Sequence, residues 1–314
     1  MKLLKALLLA ATFALAALPA KAGQYRLLSS WDENYAYNPY LLYPFIDEVK
    51  KATDGRVDIQ FNGPEVVPPF EQLEPVGAYH FGTTSIATVA DALQGDLEKF
   101  RAAGVFEEID KNYQQFGLKL VMLPVTPSGA YHILLREPVS KEGDLRGRKI
   151  RGTLSYKGVV DMLGAVLTVL PASEIYTSLE KGLVDGAAWP IIGALDYKWY
   201  EVAPLLLRPA FGVNFEPIFM NLNAWNALSP EDQKAIMDVS RKLEDKWYQE
   251  APSVWKKEEQ ELIAKGMKVT EMGDEQKAKL QDAWSDGLWS MSEEKDPKAA
   301  KAFHEFARSK GLAK

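Results

Sequence analysis

Short apolar segments and helical segments alternate along most of this chain, and that alternation limits the fold more than any single motif. Gln24 to Ser29 reads as a first strand, followed by a polar, aromatic-rich loop from Trp31 to Tyr37 and a helix from about Pro39 to Ala52. Asp54-Gly55 closes that helix, and VDIQF after Arg56 alternates as a second strand. Pro68-Pro69 opens a short helix, Ala78 to Phe81 is a short strand candidate, and Thr88 to Leu93 is helical. Further strands are expected at Lys119–Leu123, Tyr131–Leu135 and Arg148–Arg151, and another leads from Leu183 to Trp189, closed by Pro190. Helices fall at about Tyr156–Leu163 and Ser173–Lys181. Strands separated by helices point to α/β layers built on largely parallel sheets.

The texture changes at Pro230. Ser229-Pro230-Glu231 combines a cap, a first-turn proline and an acid at the positive end of a helix. The helical pattern then runs to about Lys265, too long for one small domain. Pro252 is expected to kink it or split it in two.

The ends and the composition set the class. Lys2 and Lys5 precede an apolar run from Leu7 to Leu18, and Ala20-Lys21-Ala22 supplies small residues for cleavage, so a signal peptide over residues 1–22 is expected. The apolar run is too short to span a bilayer, which needs roughly 20 residues. The chain has no cysteine, which excludes disulfides, thiolate metal sites and a cysteine nucleophile. Without the leader, 34 basic residues stand against 43 acids, a net charge of −9 (37 minus Lys2, Lys5 and Lys21, against 43). Non-specific binding to nucleic acid or anionic lipid is therefore not expected, nor insertion of the mature chain into a membrane. About 290 remaining residues are enough for two domains, since a single core stops growing near 250–300 residues.

Asp144-Leu145-Arg146-Gly147-Arg148-Lys149-Ile150-Arg151 resembles the DLxGxKIR signature of TRAP-transporter solute receptors, the DctP-like family. SEIYTSLEKGLVDG (Ser173–Gly186), KWYEV (Lys198–Val202) and WNALSPEDQKAI (Trp225–Ile236) are similar to other pieces of that family, in its order and spacing. The resemblance covers nearly the whole mature chain. It implies an α/β, two-lobed periplasmic-binding-protein-like fold, with crossing strands and a long bent helix linking the lobes. Lobe I would take 23–126 plus 214–251, and lobe II 127–213 plus 252–314. It also implies a periplasmic location, a small organic acid as solute and the membrane subunits of an ion-gradient-driven TRAP permease as partner.

In that family the arginine ending the signature pairs with the substrate carboxylate, and Arg151 stands at its position. The chemistry agrees, because a guanidinium offers two parallel charge-assisted bonds and keeps its proton. The strand end, where the chain turns toward a helix near Tyr156, is the ligand edge of an α/β sheet. Two departures from the family shape the rest of the site. Tyr131, in Gly129-Ala130-Tyr131-His132, stands where many relatives have a second arginine. Where relatives carry a polar DGQENP strand end, this chain has Asp185-Gly186-Ala187-Ala188-Trp189-Pro190. Both changes make the pocket more aromatic and less charged. The candidate ligand-binding set is therefore Arg151, Trp189, Tyr131, Tyr156, Asn214 and Trp31, with no cofactor and no metal.

One arginine satisfies one carboxylate, which favours a monocarboxylate with an aromatic or bulky apolar body. The alternatives are a C4-dicarboxylate or a keto or hydroxy acid. A dicarboxylate would need a further cation, such as Arg26 or a bound metal. Segment Val76–His80 arrives about ten residues early for the family and lacks its aspartate. His80, His132 and His304 are scattered, and no HExxH, GxSxG or phosphate loop appears, so an enzyme is not expected. The acid pairs Glu107-Glu108 and Glu258-Glu259 read as solvated helix faces. A receptor for an ATP-driven importer or a sensor would share the same architecture.

Overall fold

The computed structural model describes residues 23–67, 72, 79, 81–83 and 89–314. The leader, the helix expected after Pro68-Pro69, and Val76–Ala78 with His80 lie outside them. In chain order the described elements are β1 (Gly23–Ser29), α1 (Leu42–Ala52), β2 (Val57–Asn62), β3 (Phe81–Thr83), a 3-10 turn at Val89–Ala92, α2 (Leu97–Ala103), α3 (Val105–Gln114) and β4 (Leu118–Met122). After a crossing segment come β5 (Tyr131–Leu135), β6 (Lys149–Gly152), α4 (Lys157–Met162), β7 (Val166–Val169), α5 (Ile175–Glu180), β8 (Gly186–Pro190) and β9 (Leu205–Phe211). The chain then crosses back into β10 (Ile218–Asn221), α6 (Leu222–Asn226) and α7 (Pro230–Ala264), and finishes with β11 (Lys268–Glu271), α8 (Asp274–Lys295) and α9 (Pro297–Ser309).

Two sheets result. One has the order β2-β1-β3-β10-β4 and the other β11-β9-β5-β8-β6-β7. They are mixed rather than largely parallel. β1 runs parallel to both β2 and β3, but β10 is antiparallel to β3 and β4, and β5 is antiparallel to β8 and β9. The reversals follow from connectivity. β5 and β10 are the strands entered directly from a crossing segment, without the helix that returns a chain to a parallel start.

Sequence texture follows position. In β2, on the edge of its sheet, Val57 and Ile59 are buried while Gln60 is exposed, giving the period of two expected of a half-covered strand. β5 (YHILL) and β8 (GAAWP) are buried at every residue, as strands covered on both faces must be. α1 buries Leu42, Phe45 and Val49, one stripe at helical spacing.

The crossing segments 123–130 and 212–217 run side by side. Thr126 N donates to Asn214 O at 2.9 Å, Asn214 N donates to Thr126 Oγ1 at 2.8 Å, and Glu216 N donates to Pro124 O at 3.1 Å. α7 is a single helix of 35 residues, neither ended nor split by Pro252. Its two halves are tied to different parts of the chain. Asp232 accepts from Arg56 at 2.9 Å and Glu244 from Arg101 at 3.2 Å and from Leu123 N at 2.7 Å. Beyond Pro252, Glu258 accepts from Gly193 N and Leu195 N at 3.1 and 2.9 Å, and Glu259 pairs with Arg208 at 2.5 Å. Anchorage on both sides offsets the one backbone bond that proline removes. The pair Glu258-Glu259 is thus structural, not a solvated face.

α8 packs on α4 where two glycines meet. A Cβ on Gly158 would run into the Ala283 carbonyl oxygen and lie 2.8 Å from Gly287 Cα. Gly158→Ala is therefore expected to destabilise by about 1–3 kcal/mol, the usual cost of overpacking. Thermal unfolding checks this, and an unchanged melting temperature would mean that the two helices part at no cost.

Candidate functional site

Arg151 points from the end of β6 into the space between the two sheets and is 2 % exposed. Its Nε and Nη2 both donate to Leu170 O, at 2.9 and 2.6 Å, and Nη1 donates to Ala188 O at 3.3 Å. These contacts occupy three of its five N–H donors. Among the described residues no carboxylate lies within ion-pair distance of it. Burial lowers its pKa to about 10, which still leaves it charged at neutral pH. A desolvated guanidinium without a counter-charge is unfavourable by itself and becomes favourable when an anion arrives.

All six candidate residues line one cavity of about 50 Å³, shared with Tyr35, Asp91, Thr153, Ser155, Pro190, Phe215 and Glu216. That is room for a few water molecules, so the walls stand close together. Trp189 offers less free surface than its sequence position promised, because the Arg151 guanidinium lies over its ring, 5.0 Å from the centroid. Trp189 also meets Trp31 edge-on at 5.8 Å and Trp199 at 5.1 Å. Trp31 stacks on Tyr35 at 4.1 Å, and its Nε1 is buried with no acceptor among the described residues. Tyr131 and Tyr156 form a second wall, edge-to-face at 5.3 Å. Both are backed by Trp284 of α8, at 5.0 and 5.9 Å, which is itself fixed by Nε1 donating to Asp91 O at 2.9 Å. Burial pushes both tyrosine hydroxyls far up, so they stay neutral hydrogen-bonding groups.

Asn214 does not face the cavity freely. Its Nδ2 donates to Glu216 Oε1 at 2.7 Å, and Tyr35 Oη donates to the same oxygen at 3.4 Å. Burial raises the Glu216 carboxyl to about 7. Glu216 is the principal residue that sequence reasoning missed. The signal was an acid two positions from Asn214 and directly before Pro217, on a segment expected to cross between lobes. Tyr35 was within reach too, inside the aromatic loop. Thr153 and Ser155, joined at 2.6 Å, follow Arg151 too closely to have been separated from the turn.

Other sequence candidates fall elsewhere. Arg26 lies over the Tyr79 ring at 4.8 Å and is not among the cavity residues. His132 is buried, and its pKa is pushed down to about 3 by burial and by the Arg208 cation, so it stays neutral. His304 stacks on Trp289 at 4.0 Å, in the C-terminal helices. Among the described residues no cluster of three acids or histidines could hold a metal, and no helix is long and apolar enough to cross a membrane.

The fold has counterparts among solved structures. The extracytoplasmic solute receptor of Bordetella pertussis binding pyroglutamic acid superimposes with a TM-score of 0.75 at 19 % identity, over 91 % of this chain and all of that one. The ectoine-binding periplasmic protein TeaA of Halomonas elongata is 30 % identical over 151 residues, 46 % of this chain and 42 % of TeaA. A monocarboxylate 2-oxoacid-binding periplasmic protein of Nostoc sp. is 27 % identical over 252 residues, 67 % of this chain and 63 % of that protein. The chain thus spans less than half of the first relative and just under two thirds of the second. The sequence model of the bacterial extracellular solute-binding proteins, family 7, matches residues 42–295. A match over most of the 314 residues, on a two-sheet fold shared with solved receptors, places the chain in the DctP family of TRAP-transporter solute-binding proteins.

Proposed function

We propose that this chain is a periplasmic receptor that captures a small organic carboxylate and delivers it to an ion-gradient-driven TRAP permease, after removal of residues 1–22. The observation that carries the reading is Arg151: buried, charged, without a carboxylate partner among the described residues, and with two N–H donors not engaged by them at a cavity wall. The solute carboxylate takes those donors. Trp31, Trp189, Tyr131 and Tyr156 flank its body, and Asn214 acts through Glu216 rather than as a direct ligand. Aromatic walls on two sides and one cavity-lining arginine favour a monocarboxylate with a ring or bulky apolar body. The relatives' solutes (ectoine, a 2-oxo monocarboxylate, pyroglutamic acid) share the small size and single acid group of this class.

Capture requires movement. We assign lobe I to 23–126 plus 214–251 and lobe II to 127–213 plus 252–314, hinged at the paired crossing segments and spanned by α7. A ring does not enter a cavity of about 50 Å³ unless the walls part. The lobes therefore open without solute and close on it.

The test is a thermal-shift panel of benzoate- and phenylacetate-type acids against succinate and malate, followed by calorimetry. A ligand at 100 times its dissociation constant adds about 2.7 kcal/mol of stability. Ring monocarboxylates should raise the melting temperature, and a binder should reduce the radius of gyration in small-angle scattering. Tighter binding of the dicarboxylates would overturn the proposed class.

A further inference from the structure

We infer that the solute carries a cationic nitrogen as well as its carboxylate, and that Glu216, from another element of the same cavity wall, selects for it. This rests on Arg151 as the carboxylate anchor and specifies the other end of the same solute. Glu216 lies on the second crossing segment, with its carboxyl in the cavity wall. Both of its protein donors, Asn214 Nδ2 and Tyr35 Oη, bond to Oε1. Among the described residues Oε2 receives no bond and no cation reaches ion-pair distance. Two charged groups of the cleft, which Asp91 also lines, are thus each left incomplete among the described residues: a guanidinium with spare donors and no anion, and a carboxyl with a spare oxygen and no cation.

The groups around Glu216 reinforce this. From the loop 31–37 come Tyr35 and Trp31, and Tyr37 packs on Tyr35 at 5.3 Å. Its own segment supplies Asn214 and Phe215. Asp91 comes from the 3-10 turn, and Tyr131, Tyr156 and Arg151 from the second sheet and the turn after β6. Burial holds Tyr35, Tyr37, Tyr131 and Tyr156 neutral. Aromatic faces around a carboxylate attract cations, most strongly where water is excluded.

Charge bookkeeping decides between ligand classes. A plain monocarboxylate would bring a second negative charge beside Glu216 in a water-poor cleft, or force it to stay protonated. A hydroxyl would fill the oxygen but leave the charge. A zwitterion neutralises both ends at once, with carboxylate on Arg151 and ammonium, iminium or amidinium on Glu216. A metal ion would meet too few acid ligands here, since no cluster of three surrounds the carboxyl among the described residues.

Matched ring acids test this by calorimetry on wild type, Glu216→Gln and Arg151→Ala. The pairs are proline with cyclopentanecarboxylate, pipecolate with cyclohexanecarboxylate, and phenylalanine with 3-phenylpropionate. In wild type at pH 8 the nitrogen acid should bind about tenfold or more tighter than its carbocyclic partner, as for one well-placed buried ion pair. Glu216→Gln should remove that preference while keeping the carbocyclic acid at equal or greater affinity, which also shows that the variant folds. The Glu216 carboxyl titrates near pH 7, so moving from pH 8 to 5.5 protonates it. The nitrogen acid should then lose affinity and the carbocyclic acid gain it.

Equal affinities within every pair, or an equal loss of both partners in Glu216→Gln, would overturn the inference. So would binding that needs calcium and vanishes in EDTA. Arg151→Ala separates the two claims. If it abolishes binding of both partners while no nitrogen preference exists, the anchor stands and the zwitterion falls. If it spares both, the anchor itself is wrong.

Discussion

Arg151→Ala is expected to weaken solute binding by about 2–5 kcal/mol, roughly thirty- to several-thousand-fold, because it strips the partner from a buried carboxylate. Arg151→Lys should also bind clearly more weakly. The charge stays, but a single ammonium cannot hold Leu170 O and Ala188 O while presenting two parallel donors to a carboxylate. Folding should survive both changes, because two opposing effects meet at this residue. Removing it leaves two backbone carbonyls without donors, and it also removes a desolvated cation. Calorimetry with the best acid of the panel reads the result, and near-normal affinity in the alanine variant would place the anchor elsewhere.

Trp284→Ala should give the largest stability loss, about 3–5 kcal/mol, as for other buried aromatic truncations. Trp284 is 1 % exposed, packs on Tyr131, Tyr156 and Phe211, and carries the bond from α8 to Asp91 O. Its loss leaves the tyrosine wall of the cavity without backing and leaves a buried carbonyl without its donor. Affinity should therefore fall along with the melting temperature, although the side chain is not among the cavity residues. Trp284→Phe, which keeps most of the packing but not the N–H, should lose less of both. A Trp284→Ala protein that melts early but binds normally would show that the tyrosines hold their places without it.

Much of the frame was legible from local signals. Backbone propensity and hydrophobic period depend on near neighbours, so β1, β2, β4, β5 and β8 were placed within a few residues. Ser229-Pro230-Glu231 marked the start of α7 for the same reason, since a cap is a contact across three residues. The eight-residue signature ending in Arg151 marked the cation because its chemistry and its place at a strand end both lie within one segment.

What failed was long-range. α7 runs through Pro252 because Glu258 and Glu259 find Gly193, Leu195 and Arg208, partners about fifty to sixty-five positions away along the chain. No local rule sees those bonds. The sheets are mixed because two strands enter from crossings, a fact of topology rather than of composition. Trp189 was read as a wall for the solute, yet its ring also carries Arg151, a pairing that exists only once β6 and β8 lie side by side. Glu216 passed unnoticed because a glutamate in sequence is ordinarily a solvated charge. Its character comes from burial among Tyr35, Asn214 and the aromatic loop, which folding assembles from segments nearly two hundred residues apart. The sequence by itself marked many of the elements, the family and the candidate anion anchor, because those are written in short contiguous stretches. The tertiary structure alone decided which charges lack partners, because desolvation and pairing are properties of the space between segments.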